Sequence, residues 1–153
     1  PEGRPDGAGV DYASDLAALG VPTTMILDTA VAYYMENVDV VLVGAEGVME
    51  NGGVINKVGT LTVATCAKAM RKPVYVAAES YKFARLYPLN QRDLPESHAH
   101  PVALPLPESA HGDVVAKSPA CDYTPPQFIT LLFTDLGILT PAAVSDELIR
   151  LYQ

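Results

Sequence analysis

Short apolar runs separated by helix-length segments restrict the fold of this chain more than any other feature. PTTMIL (22–27), DVVLVG (39–44), PVYVAA (73–78) and FITLLF (128–133) each read as a strand. Val40 to Val43 is an unbroken VVLV with no polar alternation. A strand without a polar face is covered on both sides, which in practice means a parallel sheet flanked by helices. The segments between supply those helices: 11–19 (DYASDLAAL), 28–35, 59–70 and 140–152. Gly20 closes the first, where a left-handed residue is tolerated. Thr140 and Pro141 open the last as N-cap and first-turn residue. The expected fold class is α/β, doubly wound and mostly parallel, with helices on both faces.

At 153 residues the chain reads as a single domain, 1–153. No apolar run approaches bilayer thickness, so no membrane partner is expected. A net charge of −8 argues against nucleic acid, which recruits clustered Lys and Arg. Lys68, Arg71 and Lys72 do cluster, but at a helix C-terminus, where cations are favoured anyway. Cys66 and Cys121 show no CxxC spacing, which predicts free thiols in a reducing, cytoplasmic setting with no disulfide and no zinc site. The opening PEGRPDGAG reads as a strand exit, so a fragment of a longer protein is expected.

Residues 95–126 break the pattern. They hold seven of the thirteen prolines and all three histidines, without periodicity, and read as an excursion from the domain. His98 and His100 form an HxH, but no cysteine or carboxylate cluster accompanies it; a solvated loop is expected rather than a metal site.

Chemistry in an open parallel sheet sits beyond the carboxyl ends of its strands. Asp28, Glu46, Glu79 and Asp135 each follow a strand run. Four acids at one rim repel, so a cation among them is expected; Lys57 is the first choice, with Arg4 and Lys82 behind it. Asp28 either caps its helix or faces the crevice. Glu79 reads as a cap for the YKF turn and Asp135 as a cap or turn residue. Glu46 stands apart, because Gly44, Ala45 and Gly47 leave its backbone open to close approach. Asn51-Gly52-Gly53 is turn chemistry. Asn56 and Lys57 then precede a helix start whose free N–H groups suit a phosphate. Neither GxxxxGK[ST] nor GxGxxG is present. The candidate ligand-binding residues are Glu46, Asn56, Lys57, Asp28 and Arg4, for an anionic, hydroxyl-rich ligand such as a sugar phosphate, with no cofactor.

GAEGVMENGGVINKVGT, AKAMRKPVYVAAESYKFARLYPLNQRDLP and TPPQFITLLFTDLGILTPAAVSDELIRLYQ together resemble the alpha subunits of eukaryotic translation initiation factor 2B. The resemblance covers nearly the whole chain outside the excursion. It implies a C-terminal Rossmann-like domain, an N-terminal helical domain absent from this chain, and homodimerisation through the present domain. It further implies a regulatory, non-catalytic role beside the other subunits of a guanine-nucleotide exchange complex acting on translation initiation factor 2. The wider superfamily includes methylthioribose-1-phosphate isomerase and ribose-1,5-bisphosphate isomerase, which share the acid at Glu46 and the NK pair at Asn56 and Lys57. Their pattern has aspartate where this chain has Glu46, and their catalytic cysteine falls upstream of Pro1. One added methylene displaces a carboxylate by about an ångström, enough to impair proton transfer. The resemblance therefore implies retained binding without catalysis; sugar-phosphate isomerisation is the alternative.

Overall fold

The computed structural model describes residues 1–3, 7–88, 90–94, 101–102 and 118–151. Its organising sheet runs in the order β1 (Val41–Val43), β4 (Val74–Ala77), β9 (Leu131–Thr134) and β10 (Gly137–Leu139). The first three strands are parallel, with Val41 beside Val74 and Val76 beside Leu132; β10 folds back antiparallel on β9. This register gathers Val41, Val43, Val74, Val76 and Leu132 on one face, where branched side chains fit the pleat.

Two packing units cover that face. At one end, α2 (Val31–Tyr34) and α3 (Thr60–Ala69) bring Val31, Ala64 and Ala67 onto Val41 and Val74, with Met35 from the turn after α2. At the other, Val76 and Leu132 meet Val144 and Leu148 of α4 (Val144–Leu151) together with Val48 and Val54. The opposite face carries Leu42, Tyr75, Ala77 and Phe133. Leu42 is 65% exposed, and Tyr75 meets Phe133 edge-on at 5.2 Å. The helix α1 (Ala8–Ala18) buries none of its residues, and Gly20 after it has φ 76°.

Val48 and Val54 belong to a second sheet that the sequence reading does not anticipate. Its order is β5 (Phe83–Ala84), β2 (Gly47–Met49), β3 (Val54–Lys57) and β8 (Cys121–Thr124). β2 and β3 form a hairpin whose turn uses Asn51-Gly52 as expected. Gly52 takes φ 79°, the Asn51 side-chain Oδ1 accepts from Gly53 N–H at 2.9 Å, and its Nδ2 donates to the Tyr123 hydroxyl at 2.6 Å. β8 falls inside the stretch expected to lack periodicity, yet it pairs residue for residue with β3. A further two-residue ladder joins β6 (Pro101–Val102) to β7 (Ser118–Pro119).

Other expectations need correction. PTTMIL forms no strand among the described residues. Only Leu27 pairs, in a parallel bridge to Glu2, with Glu2 N–H donating to Ile26 O and Asp28 N–H to Glu2 O. A strand needs a neighbour's backbone along its length, and here Glu2 alone supplies it. Phe128 ends a 3-10 turn that Pro125 and Pro126 set, so the strand begins at Leu131. The helix after Thr140 opens as a 3-10 turn at Pro141–Ala143, and Thr140 makes no side-chain cap bond. Cys66 and Cys121 are free thiols, the latter buried. Lys68 and Lys72 hold the carbonyls of Gln127 and Glu36. Among the described residues no helix is long and apolar enough to cross a membrane, and no cluster fits a metal ion. His98 and His100 lie outside the described residues.

Candidate ligand-binding site

Glu46 sits where β1 hands over to the hairpin. Its N–H donates to Ile55 O at 2.8 Å, although Ile55 is already the register partner of Gly47. Two residues thus oppose one, a bulge that breaks strand alternation and re-aims the side chain. Glu46 is exposed. Beside it, the Lys82 ammonium donates to Ala45 O at 2.8 Å. Lys57 ends β3 directly opposite Cys121. Burial pushes the Cys121 thiol above its ordinary range, Glu46 pushes it further, and Lys57 partly offsets both, with Asp122 adding a smaller rise. Glu46 and Lys57 therefore share one electrostatic neighbourhood. They form no ion pair with each other.

Asn56 leaves β3 on the other face, as alternation requires. It pairs across the ladder with Asp122, and its amide donates to the Thr60 hydroxyl at 3.2 Å. That hydroxyl donates in turn to Lys57 O at 2.7 Å. The start of α3, expected to be open to a phosphate, already holds an anion. Asp122 Oδ2 accepts from Gly59 N–H at 2.8 Å and from Leu61 N–H at 3.1 Å. Burial raises the Asp122 carboxyl above the usual range, while the Leu61 and Gly59 amides pull the other way. Sequence reasoning missed Asp122 because proline-rich flanks obscure CDYT. Its signal is the two-residue alternation of Cys121 and Tyr123 with Asp122 and Thr124.

Asp28 does not cap its helix: Leu27 occupies the cap position and no side-chain bond forms. Its carboxylate instead lies between two glycines. A Cβ on Gly3 would come within 2.6 Å of Asp28 Oδ2, and one on Gly59 within 3.5 Å. Asp28 lines a cavity of about 290 Å³ with Gly59, Thr62, Ser118 and Asp122. Neither Glu46 nor Lys57 lines it. Asp135 behaves as a cap, accepting from Ser80 N–H at 2.6 Å and from the Ser80 hydroxyl at 2.7 Å; the hydroxyl, then the amide, lowers its carboxyl. That role was expected of Glu79, whose side chain makes no cap bond. Arg4 lies outside the described residues. The structure thus gathers Glu46, Lys57 and Lys82 around Ala45 and Cys121. It places Asn56, Asp122 and Asp28 around the start of α3.

Residues 1–141 match a model of the Initiation factor 2 subunit family. The chain is 49% identical to the Dictyostelium discoideum protein named translation initiation factor eIF2B subunit alpha, covering 99% of this chain and 49% of that one. Identity to the Caenorhabditis elegans protein of the same name is 46%, over 99% of this chain and 48% of the relative. It is 35% to ribose 1,5-bisphosphate isomerase of Thermococcus kodakarensis, over 96% and 46%. Among solved structures, the Pyrococcus horikoshii OT3 translation initiation factor eIF-2B superposes with a TM-score of 0.73 at 28% identity, over 90% of this chain and 46% of that one. The chain spans about half the length of these curated relatives.

Proposed function

Because this chain belongs to the Initiation factor 2 subunit family, we propose that it serves as part of a regulatory, non-catalytic subunit of the guanine-nucleotide exchange complex acting on translation initiation factor 2. The carrying observation is the gap in identity over the same span: 49% and 46% to proteins named as alpha subunits, against 35% to a named isomerase. In this reading residues 1–153 act as one Rossmann-like domain beside a helical domain, in the cytoplasm. The domain contributes homodimerisation and a pocket for a sugar-phosphate-type ligand.

Support for the pocket comes from charge placement. Lys82 lies against Ala45, Lys57 shares the surroundings of Cys121 with Glu46, and the two supply the cations a phosphate needs. The Glu46 carboxylate and the Asn56 amide offer partners for sugar hydroxyls. Glu46 carries one methylene more than the aspartate of the isomerase pattern, which supports binding without turnover.

A coupled isomerase assay on the full-length protein tests the reading. No turnover of ribose 1,5-bisphosphate or methylthioribose 1-phosphate is expected, together with co-purification with the other exchange-complex subunits. Turnover of either substrate would replace this function with sugar-phosphate isomerisation.

A further inference from the structure

The residue that organises the Asn56–Lys57 turn lies on a different strand, outside the pattern that marks the site. Asp122 stands directly across the β3–β8 ladder from Asn56. Its carboxylate closes over the start of α3, taking the amides of Gly59 and Leu61 at 2.8 and 3.1 Å. Gly59 holds φ 104°, a conformation open to glycine and strained for other residues. Between the two capped amides lies Thr60, which accepts from the Asn56 amide and donates to the Lys57 carbonyl. Thr60 thereby uses its hydroxyl in both directions. One Asn56 amide proton is committed to Thr60, and Asn56 Oδ1 remains as an acceptor for a ligand hydroxyl. Asp122 also lines the cavity with Asp28. Its oxygens, however, already receive backbone amides, so its action on a ligand runs through the turn.

We propose that Asp122 is the positioning residue of this ligand site: by capping α3 it holds Thr60, and Thr60 holds Asn56 and the backbone of Lys57. The inference rests on the sugar-phosphate reading given above and deepens it.

Calorimetry with ribose 5-phosphate on the full-length protein tests it, using Asp122→Ala, Asp122→Asn, Asn56→Ala and the Asp122→Ala/Asn56→Ala double variant. Asp122→Ala is expected to weaken binding on the order of tenfold, the scale of a lost helix cap. Asp122→Asn keeps an oxygen for one amide and should lose only about threefold. In the Asn56→Ala background, Asp122→Ala should cost clearly less than in the wild type, because only the hold on the Lys57 backbone remains to be lost. Unchanged affinity in Asp122→Ala, or a full extra loss in the double variant, overturns the proposal. Should Asp122→Ala fail to fold, Asp122→Asn alone and combined with Asn56→Ala carries the same comparison. Hydrogen exchange without ligand separates the two readings. Faster exchange confined to residues 56–61 in the Asp122 variants supports positioning even if wild type gives no heat with ribose 5-phosphate, an outcome that removes the ligand reading alone. Unchanged exchange there sinks the positioning role.

Discussion

Asn56 and Lys57 are neighbours in sequence that leave β3 on opposite faces: Asn56 turns onto Thr60 beside Asp122, and Lys57 stands opposite the Cys121 thiol. An amide and an ammonium on successive strand residues cannot grip one atom of a ligand together. They can hold different ends of one, across the edge where the hairpin meets α3.

Cys121 reports on the charges around it. Lys57 lowers the thiol and Glu46 raises it. Lys57→Ala should therefore slow alkylation of Cys121 at a given pH, and Glu46→Gln should speed it, since the thiolate is the reactive form. Rates measured against pH in a Cys66→Ser background check both directions. A shift of the same sign in the two variants would place one of these residues away from the thiol.

Asp122 predicts a pH dependence of stability with a defined sign. Its folded carboxyl is raised above 3.8, with desolvation the largest cause. The unfolded chain ionises first as pH rises, so this residue's contribution falls between 3.8 and the folded value and is level above it. Urea titrations of wild type and Asp122→Asn should show wild type relatively more stable at the acid end of that interval. A wild-type advantage that grows as pH rises contradicts the assignment.

Gly52 and Gly20 both have positive φ, yet they should respond differently to alanine. A Cβ on Gly52 would lie 2.2 Å from Pro141 O, whereas nothing lies within 4 Å at Gly20. Gly20→Ala should cost about 1 kcal/mol from the backbone alone. Gly52→Ala adds a clash with fixed backbone and should cost about 3 kcal/mol. Denaturant midpoints compare them directly, and equal losses would remove the contact with Pro141 from the account.

The edge formed by β10 offers a test of self-association. Ile138 is 63% exposed there, so a charge costs the protomer little. If the proposed homodimer forms through this edge, Ile138→Asp should shift it to monomer in sedimentation at micromolar concentration while leaving the melting temperature within a few degrees. An unchanged dimer moves the interface elsewhere.

The parallel strands and the helices on one face were legible because VVLV and its counterparts are apolar without interruption. The second face, with Leu42 65% exposed, lacks among the described residues the helix cover which that pattern predicts. The second sheet was not legible. VMENGGVINK signals a turn through Asn51 and Gly52, but its flanks are too short for alternation to declare a hairpin. Its edge partner β8 is hidden between prolines. Glu46 and Lys57 were legible as unusual polar residues at a strand exit. Asp122 was not, because its meaning arises only where β8 meets α3, and no local pattern encodes a cap supplied from another strand. PTTMIL shows the converse: strand chemistry is present, but pairing is a property of the neighbour.

The Gly59–Asp122 bond joins residues 63 positions apart. During synthesis, α3 leaves the ribosome before the carboxylate that seals it, so its first amides face water until residue 122 has followed. A chain cut short between the two residues would carry an unfinished helix beside an already completed hairpin.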